Sequence, residues 1–426
     1  MSMFGIKEAV VAIEIRQVAG DDLDLAGITD RFARAVWCGV AEPGDRVAGA
    51  LVARLGAGPA LSTVLAGSTG VSLARMMRPD GEEQDNDSAD WSPDEFASAL
   101  ERWAPRLASA PALASLRQAV RVGARLLVPG DTDWPLGVDD LGDGAPLALW
   151  VRGRSSVLET TTRSIAIVGA RAATGYGEHV AMEASAGLVD RGYTIVSGGA
   201  YGIDGMAHRA ALASSGLTVA FLAGGVDRFY PSGHEGLLTR ISEAGAVVSE
   251  VPCGTAPTKW RFLQRNRLIA AAARATVVVE AGWRSGSLNT AGHAAAIGRP
   301  LGAVPGPVTS ASSAGCHRLI RDFDAICVTN PDQMAELAPL EFGAPTRAGG
   351  EADAGSGDSS DTTRVVDALS TRSPRSADDI AARCGLATAR VQSVLGSLEL
   401  DERVAPRGGG WVVVSATRRR GEAATW

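Results

Sequence analysis

The chain has 426 residues, a formal net charge of −7 at pH 7 and five cysteines. This length predicts about two to four domains, with ample apolar sequence for a sizeable core. The acidic charge argues against a protein that coats duplex DNA with its whole surface. Any contact with nucleic acid must therefore come from a local basic patch.

The N-terminal segment and the cysteines indicate the compartment. Met1–Gln17 is interrupted by charged residues and offers no uninterrupted apolar core for a secretory signal. No apolar run approaches the ~18 residues that a membrane span requires, so we expect a soluble, cytoplasmic protein. The cysteines lack the spacing of a metal or redox motif, which predicts buried thiols in a reducing cytosol. They are Cys38, Cys253, Cys316, Cys327 and Cys384.

Residues 1–130 are predicted to form a small helical domain. Its alanine-rich segments, such as Arg46–Arg54 and Asp94–Arg102, have helical periodicity. The acidic stretch Pro79–Pro93 between them is typical of an exposed loop.

Residues 131–340 alternate short β-branched runs with helical segments. This alternation predicts an α/β domain with a doubly wound, Rossmann-like parallel sheet. Ligands of such sheets bind outside the carboxyl ends of the strands. The predicted strands are Ile165–Val168, Thr194–Val196, Val219–Leu222, Ala246–Ser249, Thr276–Val279 and Leu301–Val304.

The C-terminal part has three predicted pieces. Residues 341–361 are rich in small and polar residues and predict a flexible linker. Residues 362–416 contain three helical segments and then a β-hairpin around Gly408-Gly409-Gly410, the pattern of a winged helix. Residues 417–426 form a basic tail.

Two glycine-rich turns follow the first two central strands. Gly169-Ala-Arg171 with Thr174 follows the first strand, and Ser197-Gly198-Gly199 follows the second. A strand that leads through glycines into a helix start exposes backbone N–H groups that suit an anion. For Arg171 the alternative role is a structural ion pair, for Thr174 an N-cap, and for Ser197–Gly199 a tight turn with positive φ.

A cationic segment follows in an otherwise lysine-poor chain. It contains Lys259, Arg261, Arg265, Asn266 and Arg267, with the rings of Trp260 and Phe262 between them. Cations beside aromatic rings are typical of grooves that hold single-stranded nucleic acid. A solvated helical face remains the alternative, and Asn266 could bind either a base or a loop carbonyl.

A third glycine-containing turn, Arg284-Ser285-Gly286-Ser287, lies downstream of the cationic segment. The hydroxyls of Ser285 and Ser287 could donate to phosphate or could cap the turn. Asp204 and His208, next to the second turn, are assigned no chemistry.

In this order and spacing the motifs closely resemble the DNA-processing protein A (DprA, or Smf) family. The matching motifs are Gly169-Ala-Arg171-x-x-Thr174, Ser197-Gly-Gly-Ala-x-Gly202-Ile-Asp204-x-x-Ala207-His208, Arg265-Asn266-Arg267-x-Ile269-Ala270, Arg284-Ser-Gly-Ser-Leu288-x-Thr290 and Gly298-Arg299 with Val304-Pro305-Gly306. The resemblance runs from about Leu136 to Met334 and more loosely through the C-terminal domain.

The resemblance implies a cytosolic single-stranded DNA-binding protein, dimeric through its central domain. It further implies a recombination mediator that loads the recombinase RecA during natural transformation. A sterile-alpha-motif-like or helix-hairpin-helix-like domain is common in the family at the N-terminus, and a winged helix at the C-terminus. Ala170 and Tyr201 depart from the family pattern, as does the segment Ser232-Gly233. Affinity for DNA could be lower as a result, or Arg228 and His234 could substitute.

Two other function classes compete with this interpretation. A nucleotide hydrolase of the lysine-decarboxylase-like group shares the predicted fold, but the turn after Glu280 carries no catalytic glutamate, and no metal-ligand spacing appears among the histidines. Arg171 stands where a dinucleotide fingerprint requires glycine. A regulator that reads duplex DNA is disfavoured by the mixed charge of the C-terminal domain. We therefore expect a protein that is not an enzyme and that holds neither cofactor nor metal.

Overall fold

The computed structural model describes residues 2–78, residues 91–340 and parts of 362–414, namely 362, 365–366, 368–370, 373–384, 388–400 and 403–414. The chain divides into two compact units, residues 1–341 and 342–426. The predicted linker, the basic tail and most of the predicted acidic loop lie outside the described residues.

The N-terminal part of the first unit is helical, as the sequence predicts for this region. A short hairpin, β1 (Ser2–Met3) and β2 (Ile6–Lys7), precedes the helices. The helices are α1 (Glu8–Ala19), α2 (Leu25–Val40), α3 (Arg46–Leu55), α4 (Ala57–Leu65), α5 (Gly70–Met77), α6 (Pro93–Trp103) and α7 (Ala110–Arg121).

Capping residues define where several of these helices begin. The Asp45 carboxylate accepts the N–H groups of Val47 and Ala48 at the start of α3, and Ser92 and Glu95 form a capping box at α6. The apolar faces meet around Trp37 and Trp103, whose rings pack edge to face with centroids 5.1 Å apart.

A nine-stranded sheet forms the centre of the first unit. Its strands are β3 (Ala124–Leu127), β4 (Leu149–Gly153), β5 (Ser164–Val168), β6 (Thr194–Gly198), β7 (Thr218–Leu222), β8 (Ala246–Ser249), β9 (Ala275–Val278), β10 (Leu301–Ala303) and β11 (Ile326–Cys327). Their order is β11-β10-β9-β5-β6-β7-β8-β4-β3. The strands from β11 to β8 are parallel, and β4 and β3 pair antiparallel at the edge.

The predicted α/β class and doubly wound sheet are confirmed. All six predicted strands are present, each within two residues of the expected bounds, because strands β5 to β9 are buried along their whole length and therefore read as continuous apolar runs. The antiparallel strand β3 belongs to this sheet, although it precedes the domain boundary that the sequence predicts at residue 130. The helices of the sheet layers are α8 (Gly175–Asp190), α9 (Ile203–Ala213), α10 (Glu235–Ala244), α11 (Lys259–Ala272), α12 (Ser287–Ala296), α13 (Ala314–Asp322) and α14 (Pro331–Glu336).

The second unit contains the later elements of the predicted winged helix. They are α15 (Ala377–Cys384), α16 (Thr388–Leu400), β12 (Val404–Arg407) and β13 (Gly410–Val413), and the two strands pair antiparallel. Ile380, Val391 and Leu395 are fully buried in its core.

Two further expectations can be compared with the structure. Cys253 and Cys316 are buried and Cys38 is partly buried, but Cys327 is exposed because it lies on the edge strand β11, so the prediction of buried thiols is wrong there. Within residues 2–78, 91–340 and the described part of 362–414, no single helix is long and apolar enough to cross a membrane; α3 and α4 together meet that criterion by length and composition, across a 112° bend.

Candidate nucleic-acid interface

A cavity of about 550 Å³ lies at the carboxyl ends of β5, β6 and β9. Such a volume is typical of a ligand pocket, and we call it the strand-end cavity. Half of the predicted site residues line it: Gly169, Arg171, Arg265, Asn266, Ser285, Gly286 and Ser287. Thr174, Ser197, Gly198, Gly199, Lys259, Arg261 and Arg267 are not among its lining residues.

The first glycine turn presents Arg171 to the strand-end cavity. A Cβ at Gly169 would lie 2.5 Å from Ile203 and 2.9 Å from the Glu280 carbonyl oxygen, so only glycine fits this close approach of β5 to its neighbours. Arg171 is exposed and makes no ion pair with any residue that the structure describes. Its guanidinium carbon lies 4.8 Å from the centroid of the Phe262 ring, within cation–π range.

Thr174 acts as the N-cap of α8. Its hydroxyl accepts the Gly177 N–H at 3.2 Å and donates to Glu280 at 2.7 Å, and its own N–H donates to the other carboxylate oxygen of Glu280 at 2.9 Å. Ser312, from the loop after β10, donates to Glu280 at 3.1 Å. The buried Glu280 carboxylate therefore ties the first glycine turn to β9 and to the β10–α13 loop, and sequence reasoning missed this role.

The second glycine turn differs from the predicted phosphate cradle. The Ser197 hydroxyl donates to the Ile167 carbonyl at 2.6 Å, and all three residues of the turn are buried. The Gly198 and Gly199 carbonyls bond to His208 and His234, at 2.8 and 3.1 Å. Neither glycine has positive φ, in contrast to the alternative that the sequence left open.

Glycine is required at position 198 for space. A Cβ there would lie within 2.6 Å of both Arg265 and Asp204. The Arg265 guanidinium is buried and donates to the Phe221 carbonyl. Arg265 therefore makes an internal structural contact, although it also borders the strand-end cavity. Burial lowers the pKa of Arg265 to about 10, with Asp204 opposing this shift.

Asp204 shares this buried position beside the cavity. Burial raises the pKa of its carboxyl to about 6, and the charge of Arg265 acts in the opposite direction. His208 is fully buried, and burial lowers its pKa to about 4. The His208 ring bonds to the Gly198 carbonyl, and the Asp204 carboxylate lies beside Gly198 and Arg265. Both side chains thus help to hold the second glycine turn in place.

Arg261 and Arg267 do not face the strand-end cavity. Arg261 makes two hydrogen bonds to Glu42, of 2.9 and 3.1 Å, and Arg267 contacts both carboxylate oxygens of Glu250 at 2.7 Å. Arg267 is 4% exposed. Their charges are already neutralised by carboxylates, so the structural ion pair describes these two cations better than a phosphate contact does.

Glu42 lies in the loop before α3 and joins the helical part to the sheet part. It also pairs with Arg106 at 2.5 Å, and although burial acts to raise the pKa of Glu42, Arg261 and Arg106 lower it. The Gly44 N–H in the same loop lies 3.4 Å from Glu250. Through Glu42, the segment Val40–Asp45 thus contacts α11.

The third glycine turn forms another wall of the strand-end cavity. The hydroxyls of Ser285 and Ser287 bond to each other at 2.7 Å, and the Asn266 amide donates to the Gly286 carbonyl at 3.3 Å. For Asn266 the structure therefore shows the loop-carbonyl contact. Arg284 is exposed beside them and, like Lys259 at the start of α11, makes no ion pair with the described residues.

Aromatic rings lie beside the unpaired cations. Phe262 borders the strand-end cavity and contacts Tyr230 at a centroid distance of 5.7 Å, in addition to Arg171. Tyr230 and Trp260 are about half exposed. Rings and unpaired cations thus occur together at one edge of the sheet, which is the combination that holds single-stranded nucleic acid.

Comparisons with known proteins assign the chain to a family. The family described as DNA recombination-mediator protein A matches residues 125–339, and the DprA winged helix domain matches residues 350–410. This confirms the predicted family and the winged helix at the C-terminus.

The first two of the following proteins give the same assignment, and the third is similar to part of the chain. A putative DNA processing protein DprA from Mycobacterium tuberculosis is 47% identical over 311 residues, which cover 70% of this chain and 79% of that protein. The crystal structure of DNA processing protein A from Streptococcus pneumoniae matches 73% of this chain and 97% of its own chain, at 29% identity and a TM-score of 0.53. DNA processing protein A from Helicobacter pylori, solved for insight into its single-stranded DNA binding mode, matches 50% of this chain and 94% of its own at 28% identity and a TM-score of 0.46.

Proposed function

Because the chain belongs to the DNA recombination-mediator protein A family, we propose that its strand-end cavity binds the phosphates of single-stranded DNA. The observation that carries the proposal is Arg171, which is exposed, unpaired among the described residues and stacked on Phe262 at the cavity wall. An arginine in this state can make two charge-assisted hydrogen bonds to a phosphate without first breaking an ion pair.

Other residues complete the proposed site. We also include the predicted phosphate contacts through Gly169, Ser285, Gly286 and Ser287, because these residues line the same cavity as Arg171. Lys259 and Arg284 supply further exposed charge at the first residue of α11 and at the cavity wall. Arg261 and Arg267 have no direct phosphate contact in this proposal.

Single-stranded DNA fits this site better than a duplex for a physical reason. Unpaired bases can stack on Phe262 and Tyr230, whereas the bases of a duplex are already stacked and paired. A duplex would be read by a helix or ribbon in the major groove. The cations of the strand-end cavity lie instead on short turns and at a helix end, which favours backbone tracking with weak sequence preference.

The family resemblance supports the biological role that we propose. The protein loads RecA onto single strands in recombination and natural transformation, acting as a dimer in the cytoplasm. The cavity supplies binding and no turnover, because the carboxylates at its edge are engaged: Asp204 lies against the buried Arg265, and Glu280 accepts three hydrogen bonds. A carboxylate that acts as a general base must be free to accept a proton from the substrate.

The test is a titration of the full chain with single- and double-stranded oligonucleotides of equal length at several salt concentrations. We expect tighter binding of the single strand. Equal or tighter binding of the duplex would contradict the proposal. A second assay measures RecA assembly on single strands precoated with single-strand-binding protein, which the wild-type protein should accelerate. Hydrolysis of nucleoside monophosphates without an effect on RecA would favour the nucleotide enzyme.

A further inference from the structure

We propose that Trp283 is a second contact for the single strand, a ring on which a base stacks just outside the strand-end cavity. This inference rests on the proposed function and extends the binding site beyond the cavity. Trp283 lies in the chain between Gly282 and Arg284, both of which line the cavity, and the residue is 57% exposed. A strand that leaves the cavity past this turn meets the ring first.

The backbone around Trp283 is fixed by short hydrogen bonds. The Ser285 N–H donates to the Gly282 carbonyl at 3.0 Å, which closes the turn that carries the ring. The Gly315 N–H donates to the Ala281 carbonyl at 2.7 Å and holds the start of α13 against the same turn. A ring on a fixed backbone loses little conformational freedom when a base stacks on it.

The ring itself is held by a cation from α13. The Arg318 guanidinium carbon lies 5.2 Å from the Trp283 ring centroid and 5.3 Å from that of Phe323. These cation–π contacts orient the indole ring while leaving more than half of the residue accessible. Such an arrangement suits a stacking surface, because a base needs a free aromatic face and no hydrogen-bond pattern.

The charges near Trp283 favour nucleic acid over an apolar partner. Arg318 and Arg321 both lie near Asp322, at 4.0 and 2.7 Å, so part of their charge is compensated. Arg284, which follows Trp283 in the chain and lines the cavity, has no ion pair among the described residues. An apolar protein surface or a second copy packed flat on the ring would desolvate Arg284 at a cost, whereas a phosphate next to the stacked base compensates its charge.

The experiment compares Trp283→Ala and Trp283→Phe in the full chain, with oligothymidines of increasing length as probes. Loss of one base–aromatic stack weakens binding about 5- to 150-fold. We expect a loss in this range for Trp283→Ala with long oligomers and almost none with oligomers short enough to occupy only the cavity. Because stacking is not an ionic contact, the dependence of affinity on salt should stay unchanged.

Trp283→Phe should keep most of the affinity and lose part of the tryptophan fluorescence change that accompanies binding. Trp91→Ala is the matched control, since the partly exposed Trp91 ring also packs against an arginine, with the Arg46 guanidinium carbon 5.6 Å from its centroid, and does not line the cavity; it should leave the affinity unchanged. If Trp283→Ala binds long oligomers as the wild type does while Arg171→Ala weakens them, the inference is wrong and the proposed function stands. A changed oligomeric state of Trp283→Ala with unchanged DNA affinity would assign the ring to a protein interface and would also overturn the inference. If no oligomer binds the wild type, both fail together.

Discussion

Replacement of Arg171 by alanine tests the binding site most directly. The side chain is exposed and its removal leaves no buried partner, so the fold should be unaffected. Like Arg284, the guanidinium lies on the cavity wall without a carboxylate partner in the described part of the chain. We therefore expect weaker binding of single strands with unchanged thermal stability.

The size of the expected change in salt dependence follows from the number of unpaired cations at the proposed site. Each phosphate neutralised on a single strand contributes about 0.7 to the slope of log affinity against log salt concentration. With Arg171, Lys259 and Arg284 as contacts, the slope should be about −2.1, and affinity should fall about 18-fold between about 50 and 200 mM salt. For Arg171→Ala the slope should be about −1.4 and the fall about 7-fold.

The assay is fluorescence anisotropy with a labelled oligothymidine at four or more salt concentrations. Arg163→Ala is the matched control, because Arg163 is also exposed and precedes β5, whereas Arg171 follows it. This variant should keep the wild-type slope. If Arg171→Ala retains both the slope and the affinity of the wild type, the guanidinium contacts no phosphate and the site has been placed wrongly.

Three further predictions concern other parts of the molecule. Arg267→Ala should destabilise the fold by about 3–5 kcal/mol in chemical denaturation, because it leaves Glu250 buried without its partner. The salt dependence of DNA affinity should stay unchanged. A smaller salt slope at wild-type stability would instead show that Arg267 contacts a phosphate. The pKa of Asp204 is raised, so the folded state binds its proton more tightly than the unfolded state does. This proton adds roughly 3 kcal/mol to the free energy of unfolding below about pH 4, and the contribution is lost as the pH rises to about 6. Asp204→Asn should remove it, and identical pH profiles of stability for the two proteins would refute the assignment. Truncation after residue 345 should leave oligonucleotide binding largely intact, because the residues that line the cavity all lie between 168 and 312. Loss of binding by a folded truncated protein would place the DNA site in the second unit.

The sequence alone determined the sheet and the edge where the proposed site lies. The strands β5 to β9 are short, buried on both faces and bounded by turns, so their apolar runs can be recognised without tertiary information. The parallel connections then bring the turns after β5 and β9 to one edge, because all strands of such a sheet point the same way. This is why Gly169, Arg171 and Ser285, which line one cavity, could be predicted to lie at one edge before the fold was known.

Only the tertiary structure decided which cations are free. Arg261 finds its carboxylate at Glu42, 219 positions away, and Arg267 finds Glu250, while Arg171 finds none in the described part of the chain. A charge run has the same appearance in sequence whether or not its members are neutralised. Neutralisation depends on which distant carboxylate packs within about 4 Å, because the Coulomb energy of two charges falls with their separation. The tertiary structure also decided why position 198 requires glycine. Arg265 and Asp204 occupy the space that a Cβ would need, whereas the backbone conformation of Gly198 does not itself require glycine.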